Sequence, residues 1–525
     1  MSAAPRGDRR EAQHSCLMPH ASCLYNPPRM PARIALGVVV IAALLSPLRR
    51  ELYVGDETKY TQVVREMRAG AFFLPTLNGT PFTHKPPLHF WIVDLLTYPF
   101  GVYSIWPFVI PSLVAFALLL WLLARWSGAM AAFVAGTSLL VWGSAQTARM
   151  DVEFTAMLTV AAWMIERFFD RDDSRALLYA AIATGIATLI KGPMAPVIVV
   201  CLVIFECIRR RRVPRGNYLL AILALIAIPL LWFVPAVFIG GEAFWREIFY
   251  KQTVGRAVGS WVHRSPPWFY IVRSPLTLMP WFFLFVVAAF RRVDERAKFA
   301  MSWILAVVVP YSLISSKLDV YMMAAIPPAA ILIARLVESG ASAVRRANLL
   351  MLIVFAIIGI AGLFVQPSQI REPEGALVAL PAVRALFVML IVTSVAALIV
   401  TLRGDAVKST LATGLVAIVT LAYAAIALIP LANGLASPRP LVTAIEQQHV
   451  PPEQVACFVC PHLWVRGMPR ELERVRLVDA SEVSSAPRVI VARRKDSPQI
   501  ASTLAAYRKS GELRMIGKWF DVYRR

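Results

Sequence analysis

Apolar stretches long enough to cross a bilayer recur through most of this chain, and short basic loops punctuate them. Thirteen qualify: 32–48, 105–126, 128–147, 152–169, 176–191, 194–208, 217–240, 268–290, 299–316, 320–337, 347–366, 383–402 and 409–433. A spanning helix needs about 20 apolar residues, somewhat fewer where its ends snorkel. A fourteenth stretch, 86–103, opens on two prolines and carries His89 and Asp94, so it reads either as a short span or as an interfacial helix. With 58% of 525 residues hydrophobic and 16% charged, the chain is too apolar for an ordinary soluble fold and far from a disordered one. Its 54 Lys+Arg against 32 Asp+Glu give a net charge of +22. These charges fall in clusters between apolar runs rather than on one polar surface, which argues against nucleic acid as a partner and for the lipid bilayer.

The clusters orient the chain. Cytoplasmic loops collect Lys and Arg. With residues 1–31 inside as a disordered basic head and 86–103 at the interface, the main clusters fall on the cytoplasmic side: Arg125, Arg171 with Arg175, the run Arg209 to Arg212, the group Arg291, Arg292, Arg296 and Lys298, Arg345 with Arg346, and Arg403 with Lys408. Making 86–103 a span would put the four consecutive arginines outside. Arg49 and Arg50, just past the first stretch, are the one local exception. The expected architecture is therefore an all-α polytopic membrane protein whose helical domain covers 32–433. A small α/β domain over 434–525 then lies on the outer, periplasmic face of a bacterial inner membrane. The head has no apolar core and so is not a signal peptide, and Met30 is a candidate initiator.

In the tail, RVRLV and RVIVAR read as strands and SPQIASTLAAYRKSG as a capped helix ending at Gly511. Six cysteines do not make a disulfide framework in a chain of this length. Cys457 and Cys460 read as an exported disulfide or as two buried strand thiols, the second being the commoner outcome for such a pair.

On this topology the outer loops gather an unusual set of polar residues. In the first, 49–104, Tyr60, Val63, Val64 and Met67 share one face at helical spacing, marking an amphipathic helix. Asp56 and Glu57 stand at its N-terminus, where capping alone would account for Asp56; Lys59 follows one residue before the apolar face begins. After a turn at Asn78-Gly79 comes His84, then Lys85, which Pro86 holds on an extended backbone suited to presenting a point charge to phosphate. The second loop carries Arg149, Asp151 and Glu153. The two carboxylates are spaced to face one cation from an extended turn, or Arg149 pairs with Asp151 internally. Lys191 closes the helix before the third loop, the fourth contains His263 and Arg264 among aromatics, and the fifth gives Lys317, Asp319 and Tyr321.

Carboxylates and cations converging on one membrane face imply an anionic lipid substrate and proton chemistry at an acceptor hydroxyl. A polyprenyl-phosphate sugar meets both requirements: lysines stabilise the departing phosphate while a carboxylate handles the hydroxyl that attacks the anomeric carbon. A lipid or sugar transporter or flippase is the alternative from another class, and it calls for mid-helix charges and inverted repeats.

The run GDETKY, EM, PTLNGTPFTHKPPLHFW, then ARMDVEF, IKGP, HRSPPWFY and SSKLDVYMMAAIPPAAIL, resembles the bacterial GT-C glycosyltransferases, in particular the lipid A 4-amino-4-deoxy-L-arabinose transferases and the protein O-mannosyltransferase-like enzymes. The resemblance runs in order over about residues 50 to 335. It implies a GT-C fold of about thirteen transmembrane helices, a periplasmic C-terminal domain and an undecaprenyl-phosphate-linked sugar donor. The acceptor it implies is lipid A, another glycolipid or a protein. It matches Asp56 to the catalytic aspartate, Asp151 to the second-loop acidic residue, Lys85 to the donor-phosphate lysine and Tyr321 to the tyrosine after the SK motif. Glu57, Lys59, Tyr60, His84, Glu153, Lys191, His263 and Lys317 join them as substrate-binding candidates. The chain departs from the family pattern at His84, usually acidic, and at Lys59, usually arginine. His84 and His263 are candidate ligands for a divalent metal, although the reaction requires no cofactor.

Overall fold

The computed structural model describes residues 30–248, 250, 265–291, 294–366, 373–459, 470–478, 480, 488–515 and 517–525. Each of the thirteen apolar stretches forms helix. In chain order the first ten helices are α1 (Met30–Ala43), α2 (Asp56–Arg68), α3 (Leu88–Phe100), α4 (Trp106–Ser127), α5 (Ala129–Gly136), α6 (Leu139–Ala145), α7 (Asp151–Arg171), α8 (Ser174–Lys191), α9 (Met194–Arg210) and α10 (Tyr218–Arg246). Among the described residues seven helices are long and apolar enough to cross a membrane, which makes this a multi-span membrane protein. Two stretches depart from the straight span expected of them. Residues 128–147 break into α5 and α6, and 268–290 form two helices, Phe269–Thr277 and Phe282–Phe290, bent by 120°. Counting the bent pair as one span brings the number to eight.

The ambiguous stretch 86–103 resolves into α3, whose 13 residues rise only about 20 Å against a hydrocarbon core of about 30 Å. Its two polar residues are taken up by neighbours: His89 Nδ1 pairs with Glu153 Oε1 at 2.8 Å, and Asp94 lies 3.9 Å from Arg68. The helix therefore packs against α2, α4 and α8 with its charged groups answered inside the protein.

Near the ends of α7, α9 and α10 the basic clusters meet acidic partners. Arg209 and Arg210 both pair with the buried Glu206, Arg210 reaches Asp170, Arg212 reaches Asp172 and Arg296 reaches Glu166. Arg50 behaves differently. Its guanidinium, 2% exposed, forms a buried ion pair with Glu57 and donates to the Gln146 carbonyl at 2.9 Å. It is a structural charge buried in the protein rather than part of a loop cluster.

Residues 49–104 fold as their pattern predicts. Tyr60, Val63, Val64 and Met67 are all buried at 4% exposure or less, so α2 seats its apolar stripe on the bundle. After it, Asn78 (φ 54°) and Gly79 (φ 77°) turn a two-residue hairpin between β1 (Thr76–Leu77) and β2 (Thr80–Pro81), the backbone a type I′ turn requires. Glu66 clamps this hairpin to α2 by accepting from Asn78 N, Gly79 N and Thr76 Oγ1.

The tail builds a five-stranded mixed sheet in the order β4-β3-β5-β7-β6, from β3 (Val455–Phe458), β4 (Arg476–Val478), β5 (Val489–Arg493), β6 (Arg508–Met515) and β7 (Lys518–Arg524). The two strands read from the sequence are β4 and β5. The capped helix is not formed as expected: helix is confined to a 3-10 turn at Ser497–Ile500 and Ala501–Leu504, and Gly511 lies inside β6. Pairing of β6 with β7 from Arg508 to Met515 overrides the local helical tendency, because each strand residue gains ladder bonds that a short isolated helix lacks. Cys457 in β3 is disulfide-bonded rather than a buried thiol, while Cys201 and Cys207 of α9 are free. Cys16, Cys23, Cys460 and the head, apart from its last two residues, lie outside the described residues. The tail docks on the first loop through Arg65 with Glu473 and Arg439 with Glu51.

Candidate functional site

Gly55, at φ 142°, caps α2 and lets the chain turn sharply so that Asp56 is the first helical residue. Capping falls to the Thr58 hydroxyl, which accepts from Gly55 N at 3.2 Å, so the Asp56 carboxylate is not spent on backbone amides. Its Oδ1 accepts from Lys59 Nζ at 2.6 Å and its Oδ2 from Arg149 Nη2 at 3.1 Å, with the side chain 40% exposed. Burial alone would push this carboxyl up, but Lys59, Arg149 and Lys85 outweigh it and hold it at about 2. The adjacent Glu57 faces inward. Besides Arg50, it accepts from Tyr53 N and Ala148 N, both at 2.8 Å, and so ties the first external loop to the second. Neighbouring carboxylates thus take separate tasks, one presented to solvent and one locked into the scaffold.

The second loop is shorter than the expected extended turn, since α7 starts at Asp151 itself. On a helix, residues two apart point about 200° from each other, so Asp151 and Glu153 do not face a common cation. Asp151, buried, pairs with Lys191 at the end of α8 and lies 3.9 Å from Arg149. Glu153, also buried, goes to His89 of α3. Both proposed arrangements are therefore decided: the internal Arg149–Asp151 contact forms, with Lys191 as the stronger partner.

Lys191 sits over the rings of Phe154 and Tyr321, 5.4 and 5.1 Å from their centroids. Tyr321 belongs to a 3-10 turn, Asp319–Ala325, and stacks on Tyr311 at 4.9 Å between centroids. Asp319 of the same turn is held by Arg273 through two hydrogen bonds. Tyr60 is buried edge-on to His89 and Phe90, and burial raises its phenol well above the ordinary value. Lys85, half-buried in the turn before α3, acts electrostatically on both Asp56 and Asp151. His84 beside it is exposed and packs edge-on to Phe82. Lys317 is buried and donates to the Ser265 and Ile314 carbonyls, and burial pushes its ammonium down. His263 lies outside the described residues. Among the described residues no group of three or more His, Cys, Asp or Glu could hold a metal ion.

The structure thus brings Asp56, Lys59, Tyr60, Lys85, Asp151, Lys191 and Tyr321 into one electrostatic neighbourhood and assigns Glu57 and Glu153 to buried pairs at its edge. Beside Asp56 opens a cavity of about 400 Å³ walled by Arg50, Trp142, Gln146, Arg149, Leu421 and Ile429, among others. The sequence reading passed over Trp142 and Gln146 because they sit within an apolar stretch; the signal available was a glutamine and a glycine breaking that stretch just before the charged loop.

The bundle of apolar helices, its charged cap and its docked mixed sheet have counterparts among proteins of known sequence and structure. Residues 84–233 match the family model for dolichyl-phosphate-mannose-protein mannosyltransferase. ArnT from Cupriavidus metallidurans bound to undecaprenyl phosphate superposes with a TM-score of 0.76 over 94% of this chain and 97% of that one, at 18% identity. An undecaprenyl phosphate-alpha-4-amino-4-deoxy-L-arabinose arabinosyl transferase of Edwardsiella ictaluri is 30% identical over 346 residues, covering 61% of this chain and 62% of the relative. The enzyme of the same name from Pseudomonas aeruginosa strain LESB58 is 28% identical, covering 65% of each. An uncharacterized protein of Aquifex aeolicus is 26% identical, covering 59% and 64%. The chain spans just under two thirds of the length of these curated relatives. The resemblance read from the motifs is thus met by a family-model match over residues 84–233 and by a shared fold.

Proposed function

We propose that this protein is a membrane glycosyltransferase that moves a sugar from a polyprenyl, specifically undecaprenyl, phosphate to an acceptor on the periplasmic face of the inner membrane. The carrying observation is Asp56: a partly exposed carboxylate fixed between Lys59 and Arg149 and lining a cavity, with Lys85 and Lys191 close by. The relatives' names support the donor class. The disulfide at Cys457 supports an oxidising, periplasmic location for the tail, and the basic clusters support thirteen spans with the helical domain ending near 433. The acceptor class spans lipid A, glycolipids and protein hydroxyls.

The chemistry follows from the charges. The acceptor oxygen bonds to the anomeric carbon as that carbon's bond to the phosphate oxygen breaks, and inversion results from this in-line geometry. Lys85 and Lys191 stabilise the phosphate as it gains charge, and Tyr321 lines up beside Lys191. A carboxyl held near 2 is a weak base, because efficient general bases titrate near the working pH. Asp56 therefore orients the acceptor group, and the proton ends on the departing phosphate monoester, whose second pKa of about 6 makes it the stronger base. The transporter alternative has less support: Glu166 and Glu206, toward the C-terminal ends of helices α7 and α9, are each paired with arginines.

Mass spectrometry of envelope glycolipids and glycoproteins from a deletion strain tests the reading. A sugar mass should disappear and return with the wild-type chain but not with Asp56→Asn. Restoration by Asp56→Asn would overturn it.

A further inference from the structure

Asp56 is delivered by residues 50–53, which form neither helix nor strand. The peptide groups of such a segment need partners elsewhere. Here they come from the far end of the chain, from the helix Ile429–Ala436 that leads into the tail. Asn433 accepts from Glu51 N through Oδ1 at 3.1 Å and donates from Nδ2 to the Arg49 carbonyl at 3.0 Å. Val54 N donates to the Ala436 carbonyl at 2.8 Å, and the Tyr53 hydroxyl donates to the Ile429 carbonyl at 3.1 Å. Val54 also packs against the apolar core of the tail, which includes Leu441 and Ile445.

The Asn433 contacts fall at a particular place. The Arg49 carbonyl and the Glu51 N–H belong to the peptide groups on either side of Arg50. One planar side-chain amide holds both, as donor to the first and acceptor from the second, and so fixes the backbone of Arg50 between two rigid peptide planes. From that backbone the guanidinium reaches the buried Glu57 and the Gln146 carbonyl. Glu57 in turn accepts from Tyr53 N and Ala148 N, and the next residue, Arg149, donates to Asp56. Direct contacts therefore run from Asn433 to the start of α2 and to Arg149, which together set the Asp56 carboxylate. Asparagine is a weak helix former and the glycine after it, Gly434, a weaker one. No residue of their helix is buried, so neither helix propensity nor core packing accounts for Asn433.

We infer that Asn433 is a positioning residue for the transfer reaction: by holding the backbone around Arg50 it keeps Glu57, and with it Asp56 and Arg149, in working alignment. The inference rests on the transferase reading and extends its machinery to the helix that joins the bundle to the tail. A second contact docks the same segment, the ion pair of Arg439 with Glu51. Arg439 is 67% exposed, where such pairs contribute little, so it serves as the control for docking alone.

The test uses full-length variants in proteoliposomes. Membranes of the deletion strain supply the acceptor, the polyprenyl-phosphate lipid fraction of that strain supplies the donor, and mass spectrometry reads the returning sugar mass. Asn433→Ala should lower kcat about 10- to 100-fold, the scale of an ångström-size misplacement at a reacting centre. The donor KM should not change, because Lys85 and Lys191 stand on other segments. Hydrogen exchange should quicken over residues 49–57 and not across the helices. Tyr53→Phe keeps its ring beside the Arg50 guanidinium and loses only the hydroxyl bond to Ile429; it should act in the same direction more weakly, and it is the variant read where Asn433→Ala folds poorly. Arg439→Ala should leave kcat as it is. An unchanged kcat in the variant read, a loss carried by the donor KM, an equal loss in Arg439→Ala, or exchange quickened throughout the bundle would each overturn the inference and leave the transferase reading standing. Absence of transfer by the wild-type chain would overturn both.

Discussion

Asp56 and Glu57 are adjacent carboxylates for which the structure demands opposite behaviour, and a matched pair of amide substitutions separates them. Glu57→Gln removes the counter-charge of Arg50 where the two side chains are 9% and 2% exposed. Breaking a buried pair on one side costs about 3–5 kcal/mol, because the remaining charge stays desolvated. The glutamine can keep one of the two amide contacts from Tyr53 and Ala148 but turns an NH2 toward the guanidinium. At roughly 2 °C per kcal/mol for a large domain, the apparent melting temperature should fall on the order of 5–10 °C. Asp56→Asn alters a side chain that is 40% exposed, where ion pairs contribute about 0–1 kcal/mol, so melting should barely move. Its effect should appear in turnover instead, as a loss of about 10²-fold for a group that orients the attacking nucleophile. Thermal unfolding in detergent, paired with initial rates of label transfer in proteoliposomes, reads both quantities on the same preparations. A stable but inactive Glu57→Gln alongside an unstable Asp56→Asn would refute the division of labour drawn from the geometry.

Three further outcomes are expected. Because the folded pKa of Asp56 is depressed to about 2, its charge is complete above the unfolded value of about 3.9 and is lost only as pH falls through 2. The kcat/KM profile between pH 4.5 and 8.5 should therefore contain no limb that vanishes in Asp56→Asn, and finding one would contradict the assignment. Lys191→Met should raise the donor KM about 10- to 100-fold, as expected for a charged hydrogen bond worth roughly 1.5–3 kcal/mol, while leaving Asp151 buried without its nearest ammonium; Lys191→Arg should recover part of the donor affinity. Cys457 should resist alkylation in intact protein until a reductant is added, and immediate labelling would argue against an oxidised tail.

Most of the helices were legible because lipid imposes a one-dimensional rule: every backbone polar group must be satisfied within a helix, and the side chains of a span must be apolar. The face of α2 was legible for a related reason, since Tyr60, Val63, Val64 and Met67 recur at the helical period. Where the helices break was not legible. Residues 128–147 and 268–290 look continuous by hydropathy, yet the first divides at Thr137-Ser138 and the second beside Pro280, because a count of apolar residues is blind to a helix-breaking proline. In the tail, SPQIASTLAAYRKSG carries helical signals that lose to the β6–β7 ladder, a pairing formed between residues whose contact no local pattern announces.

The polar residues show the same boundary. The sequence alone led to the expectation that Asp56, Lys85, Asp151, Lys191 and Tyr321 share one side of a membrane, because basic clusters sort by compartment, and the structure brings them into one neighbourhood. Which carboxylate is free to act was decided only in three dimensions. Asp56 and Glu57 differ by one position, yet 100° of helix rotation sends one to solvent and the other onto Arg50. Asp151 and Glu153 likewise part company, toward Lys191 and His89. The cavity walled by Trp142, Gln146 and Leu421 joins segments far apart in the chain, so it exists only once the tertiary structure has brought them together.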